Sequence, residues 1–269
     1  MSNVSFDVEG VAMNYQSYLQ LDRILSAQKP HSPDEHDEML FIIIHQTYEL
    51  WFKQILHEGE SLKRNFIENQ PYKALADFKR ILKIMKTLVG QIDILETMTP
   101  VSFMSFRNRL ENASGFQSWQ FRCFEAFMGL KNKAKIQHLA ENSQERKMTE
   151  AYLKEPSLYD AFLLFLNKNN YSIPSDILNR DYSNTYEGDS RVQDILLKIY
   201  NEDNFLTLLS EIFIDLDEGV QEWRYRHVKM VERTIGDKMG TGGSLGAHYL
   251  KSTLSKPAFI DLWAIRGKL

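Results

Sequence analysis

Apolar residues recur at three- and four-residue steps along most of the chain, the period of an amphipathic helix. No strand-like alternation persists anywhere, and no internal repeat is visible. The clearest stretch starts at His36 and is expected to run to about Ile67. Within it Phe41, His45, Tyr48 and Phe52 fall at i, i+4, i+7 and i+11, which sets an imidazole in the middle of an aromatic stripe. Leu40, Ile43, Ile44, Leu50, Trp51 and Ile55 make the opposite flank apolar too, so this helix is expected to be buried on most sides. Ser32 or Asp34 is placed to cap it, and Asp37 and Glu38 lie near its positive end. Gly59 is its weakest position.

The same pattern predicts the other elements. A short apolar helix spans Tyr15 to Ala27 and is broken by Lys29-Pro30-His31-Ser32-Pro33; residues 1–12 are expected to be poorly organised. Pro71 opens a bundle helix whose apolar positions run from Ala74 and Phe78 to Ile92 and Leu95, ending at Thr99-Pro100. A short helix covers Ser102 to Leu110, an aromatic one Phe116 to Met128. Residues 131–150 are polar and charged and read as an exposed helix or ordered loop. Helical pieces follow at Leu153–Leu166, Val192–Ile199 and Phe205–Leu216, then a second long helix from Glu218 to Ile235, stopped by Gly236. The fold class is all-α, a helical bundle.

Composition narrows the setting. The 269 residues suit one large domain or two small ones, and 43% hydrophobic with 25% charged residues is ordinary for a globular chain. A formal net charge of −4 gives no general drive toward nucleic acid or an anionic membrane. The longest uninterrupted apolar run, Met39 to Ile44, is far short of a membrane span. The N-terminus has neither a basic region nor an apolar core of the kind a signal peptide needs. Cys123 is the only cysteine, which rules out a disulfide within the chain and a thiolate metal cluster. A reducing cytoplasm fits these features.

Candidate chemistry begins with a second histidine. Val220, Trp223, His227, Val231 and Ile235 step by three, four, four and four, so His227 also sits on an apolar stripe. Taken singly, each imidazole reads best as a core histidine bonded to a backbone carbonyl. Two of them on two bundle helices point instead to a shared site. There is no His-x-x-x-His pair, which disfavours zinc. One axial imidazole in an apolar cavity suits haem iron, and a second across the cavity suits a distal hydrogen-bonding role. Phe103 and Arg107 are an i, i+4 pair among aromatics. Arg107 either is buried and needs a carboxylate, or lies on the surface with its stem over the rings. Gly240-Thr241-Gly242-Gly243-Ser244-Leu245-Gly246 places four glycines in seven residues. It lacks the phosphate-loop pattern and reads as a segment that closes over a ligand, with Thr241 offering a hydroxyl.

Five stretches carry a family resemblance: Tyr15-x-x-Tyr18-Leu19-x-Leu21-Asp22; His36-Asp37-Glu38-Met39-Leu40-Phe41-Ile42-Ile43-x-His45-Gln46-Thr47-x-Glu49-Leu50-Trp51; Ala113-Ser114-Gly115-Phe116-Gln117-Ser118-x-Gln120-Phe121-Arg122; Trp223-Arg224-x-Arg226-His227; and Gly240-Thr241-Gly242-Gly243-Ser244. In these the chain resembles the tryptophan 2,3-dioxygenases, haem enzymes that open the indole ring. The resemblance implies haem b, ferrous when active, with His227 as its axial ligand and Ser114 and Gly115 bordering it. It implies that His45 bonds the indole N–H, that Phe41 packs on the indole, and that Arg107, beside Phe103, binds the substrate carboxylate. Thr241 would meet the ammonium and carboxylate. It further implies a homotetramer in which Tyr15, Tyr18 and Leu19 complete a neighbour's site, with L-tryptophan and O2 as substrates. Leu245 departs from the serine expected there, and the chain looks short for the family in its middle and at its C-terminus. Rival readings are a related haem enzyme acting on another aromatic amino acid, and a haem-free helical scaffold.

Overall fold

The computed structural model describes residues 13–240 and 246–269. The stretch 1–12, expected to be poorly organised, lies outside the described residues, as do Thr241 and the rest of the glycine segment through Leu245. The described residues form helices and turns, with no strand among them.

Two short helices come first, α1 (Tyr15–Leu19) and α2 (Leu21–Leu25). The sequence pattern suggested one helix here; Gln20, at φ 53° in the left-handed region, separates them. Helix α3 runs unbroken from Asp37 to Ile67. Neither Ser32 nor Asp34 caps it. His36 occupies the cap position with no side-chain bond, and the buried Glu38 carboxylate reaches back to the N–H groups of His31 and Ser32 at 2.8 and 2.6 Å. A first-turn carboxylate thus ties the incoming chain to the helix start, where the helix dipole also favours it. Gly59 survives inside α3 because Phe127 presses on it: a Cβ there would sit 2.8 Å from that ring.

Helix α4 (Pro71–Leu95) starts on its proline, as the pattern predicts, and packs along α3. Next come α5 (Pro100–Arg107), capped by the Thr99 hydroxyl, and α6 (Trp119–Phe127), capped by Ser118. Between them lie tight turns at Asn108–Leu110 and Gly115–Gln117. The 131–150 segment differs from its expected exposure at several points. Lys131, Ile136 and Thr149 are buried, and a turn at Lys133–Ile136 and helix α7 (Gln144–Lys154) pack on α6. Lys131 accounts for part of this, since its ammonium donates to the carbonyls of Tyr152 and Glu155 at the end of α7.

The remaining helices are α8 (Leu158–Lys168), α9 (Ser175–Leu178), α10 (Ser190–Glu202), α11 (Asn204–Ile235), α12 (Ala247–Lys251) and α13 (Ile260–Ala264). The two pieces expected at Phe205–Leu216 and Glu218–Ile235 are one 32-residue helix. Asp217 at the expected break is helical. Its carboxylate accepts from Ala258 N, Phe259 N and the Trp263 indole, which staples the C-terminal segment to α11. At the heart of the bundle, Phe213 of α11 lies 4.6 Å from Phe162 of α8, 4.8 Å from Phe78 of α4 and 4.8 Å from Phe259, centroid to centroid. This aromatic cluster holds α4, α8 and α11 together and leaves the far halves of α3 and α11 free to enclose a space.

Candidate active site

That space is a cavity of about 260 Å³. His45 and His227 both line it, as do Phe103, Arg107, Ser114 and Gly115. One interior site therefore gathers six of the residues singled out from sequence. Apolar groups from six helices close it, among them Phe52 of α3, Leu95 of α4, Phe103 of α5, Phe121 of α6, Val231 of α11 and Leu250 of α12. A smaller void behind the wall, between Arg122, Glu125 and Lys135, holds only about 10 Å³, room for a single water.

His45 satisfies both of its readings. Its Nδ1 bonds the carbonyl of Phe41 at 2.7 Å, as a core histidine would, and its ring still faces the cavity. Burial lowers its pKa, opposed by that backbone bond and by the Glu49 carboxylate, so the ring is held neutral. Phe41 stands 4.2 Å from the His45 ring and 5.7 Å from both Phe103 and Phe106, and these rings form an aromatic flank beside the imidazole.

His227 has no hydrogen-bond partner among the described residues. Burial, then the neighbouring His45, push its pKa down to about 4. Its side chain is part of the cavity lining. Trp223, one turn earlier, lies parallel to it at 5.2 Å and 5°. Phe121 at 5.1 Å and Phe52 at 6.4 Å box in the Trp223 ring. Tyr48, edge-on to Trp223 at 6.2 Å, is pinned by its hydroxyl to the Leu88 carbonyl at 2.6 Å. The imidazole is thus oriented by stacking alone, and its nitrogens are uncommitted.

These features fit an axial haem ligand: a neutral, unpartnered imidazole on an apolar wall. Among the described residues no three His, Cys, Asp or Glu side chains come together, so an iron held by His227 needs most of its ligands from a cofactor.

Arg107 settles between its two readings. It is half-buried, lines the cavity, and donates from Nη2 to the carbonyl of Met239, while its buried Nε has no partner among the described residues. A guanidinium so placed has donors left for a carboxylate. Tyr15 and Tyr18 are 75% and 70% exposed and, like the half-buried Leu19, lie away from the cavity of their own chain.

Sequence reasoning missed a charged section of the wall, made by Arg122, Glu125, Lys135 and Arg224, and the aromatic box around Trp223. Arg122 and Glu125 stand at i, i+3, an ordinary surface spacing, so nothing in the pattern announced their burial. It also missed Gln120, whose amide donates to the Glu49 carbonyl at 2.9 Å and carboxylate at 2.8 Å and fixes that acid on the cavity wall.

Comparison with known proteins agrees with this site. The family model described as tryptophan 2,3-dioxygenase matches residues 2–170 and 137–269, middle region included. A protein named tryptophan 2,3-dioxygenase from Herpetosiphon aurantiacus is 52% identical over 260 residues, covering 96% of this chain and 99% of the relative. One of the same name from an Anaeromyxobacter species is 50% identical over 258 residues, 96% of this chain and 97% of its own. Another from Caulobacter vibrioides is 45% identical over 264 residues, 96% and 98% of the two chains. Against these relatives the chain is not short. An extended match of this kind, joined to two imidazoles on one enclosed cavity, makes the chain a member of the tryptophan 2,3-dioxygenase family.

Proposed function

We propose that this enzyme is a haem-dependent dioxygenase that adds both atoms of O2 across the indole C2=C3 bond of L-tryptophan, giving N-formyl-L-kynurenine and so opening the breakdown of that amino acid. The observation that carries the reading is the pairing of His45 and His227 on one apolar cavity, one ring fixed in tautomer and the other without a partner. The chain acts as one domain over its whole length. His227 would hold haem b, with Ser114 and Gly115 at its border, and the ferrous haem would supply the activation of O2.

The protein's own part is binding and orientation. Arg107 pairs with the substrate carboxylate, its planar fork matched to two oxygens. Phe103 and Phe41 supply the aromatic slot. The His45 Nε2 accepts the indole N–H and sets the orientation of the indole in the cavity; it is a positioning group and transfers no proton. Thr241 takes the ammonium and carboxylate, on the strength of the resemblance. The apolar lining keeps water from the reacting bond. Tyr15, Tyr18 and Leu19 complete a neighbour's site in a homotetramer, a role supported by the exposure of the two tyrosines in the single chain. No helix among the described residues is long and apolar enough to cross a membrane, and the single cysteine suits a cytoplasmic location.

The test is an optical spectrum of the reduced, haem-reconstituted protein under O2, with and without L-tryptophan. Product absorbance that needs both substrates, with two atoms from isotopic O2 in the product, is the expected result. Incorporation of one atom overturns the dioxygenase reading. A normal haem spectrum with no product overturns the choice of substrate, and no Soret band at all overturns the cofactor.

A further inference from the structure

One section of the cavity wall is charged, and its charges do not balance. Glu125 on α6 is 4% exposed and accepts from three cations. Arg122 Nη1 is at 2.5 Å, Lys135 Nζ at 2.8 Å and Arg224 Nη2 at 3.2 Å. Arg122 and Arg224 are 8% and 6% exposed, Lys135 is half-buried, and all four side chains line the cavity. Three positive charges on one carboxylate leave an excess of two. Glu125 is the carboxylate that opposes the lowering of the Lys135 pKa by burial. An excess of that size inside a protein is costly unless an anion answers it.

The donors of the cluster are not exhausted. Arg122 Nη2 donates to the Phe116 carbonyl at 3.3 Å, and Arg224 Nη1 to the Thr253 carbonyl at 3.1 Å. The buried Nε of Arg122 has no acceptor among the described residues. Its guanidinium lies against the rings of Phe116 and Phe121, 4.8 and 5.2 Å from their centroids, which hold its plane. The small void behind the cluster has room for one water and none for an anion. The answering charge must therefore enter from the main cavity.

We propose that the Arg122–Glu125–Lys135–Arg224 cluster seats the two propionate carboxylates of the haem. The proposal rests on the haem reading above and adds which side chains receive the acid groups. Two carboxylates match an excess of two positive charges. Arg224 precedes His227 by three residues on α11, about 4.5 Å along the helix axis. A flat ligand held at its centre by His227 and acidic at its rim meets both from one side of the cavity. The substrate's own carboxylate has a separate partner in Arg107, on α5. Glu125 then acts as the organiser of the cluster. It brings the two guanidinium groups and the ammonium together, and leaves only as much charge as the ligand neutralises.

The experiment titrates the full-length protein, prepared free of haem, with haem and with haem dimethyl ester, following the Soret band and the quenching of tryptophan fluorescence. Wild-type protein is expected to bind the diacid more tightly than the diester. Lys135→Met, which keeps the apolar stem and removes one charge, is expected to weaken diacid binding by about tenfold, the scale of one part-buried charge pair, and to leave the diester unchanged. Glu125→Gln moves the diacid preference the other way. Thermal melting of each variant checks that it is folded. Equal loss for both ligands in Lys135→Met, or equal affinity of the wild type for both, overturns the proposal and leaves the haem reading standing. Failure of the wild type to bind either ligand overturns the haem reading itself.

Discussion

The Nδ1 of His45 lies 2.7 Å from the carbonyl oxygen of Phe41, one turn earlier on α3. A carbonyl only accepts, so Nδ1 carries the hydrogen and Nε2 is the ring's acceptor. The backbone therefore chooses the tautomer before any ligand arrives. His45→Ala is expected to keep the haem spectrum and to lower kcat/KM for L-tryptophan by about 10–100-fold, the worth of one buried hydrogen bond. With 1-methyl-L-tryptophan, which has no indole N–H, the gap between wild type and variant should close. Steady-state kinetics on the two substrates checks both statements.

Arg107 donates to the Met239 carbonyl, next to the glycine segment, and its buried Nε has no partner among the described residues. Arg107→Ala is expected to cost about 2–5 kcal/mol of substrate binding, the range for truncating one partner of a buried charge pair. Arg107→Lys should recover little of it, because an ammonium cannot reproduce the planar fork. An unchanged KM and kcat in the alanine variant would place the arginine outside the substrate site.

Acid should destabilise the haem-free protein earlier than its carboxylates alone require. Burial pushes His227 down to about 4 and lowers His45 as well. As pH falls from about 7 to about 4, the unfolded chain binds protons at these positions before the folded chain does, so folding stability falls through that window. His227 alone contributes up to about 3 kcal/mol of this loss, complete near pH 4. Above about pH 7 neither state is protonated there and its contribution is flat. Urea midpoints across the window measure the slope, and His227→Phe should flatten it.

Gly59 and Phe127 give a stability test away from the cavity. A Cβ on Gly59 would stand 2.8 Å from Cε2 of that ring. Gly59→Ala is expected to cost about 1–3 kcal/mol through overpacking, despite alanine's better helix propensity. Adding Phe127→Leu should return part of it. Thermal unfolding of the single and double variants reads out both.

What the chain disclosed and what it withheld follow from how each contact is made. His45 and His227 were visible because an imidazole interrupts an apolar stripe of regular period. Pro71 marked the start of α4 to the residue, since the ring is tolerated at a helix start and nowhere later. The pattern predicts two pieces on either side of Asp217 where α11 is continuous, and only the distant Ala258, Phe259 and Trp263 donors explain a carboxylate there. The cluster on Glu125 was invisible for a related reason. Its members come from α6, the Lys133–Ile136 turn and α11, and only the fold brings them together. The polar 131–150 stretch read as surface because composition says nothing of where an ammonium finds its carboxylate.

Helix α4 runs beside both α3 and α11 and presents Ile92 and Leu95 to the cavity. Neither histidine stands on it, and no titratable side chain of α4 lines the cavity among the described residues. It works as a gauge block: the clearance between the two imidazoles is inherited from a helix that contributes only hydrocarbon. The size of ring this protein admits and the chemistry it performs are thus written on different helices. A change of one methylene at Ile92 or Leu95 alters the first and leaves every group needed for the second in place.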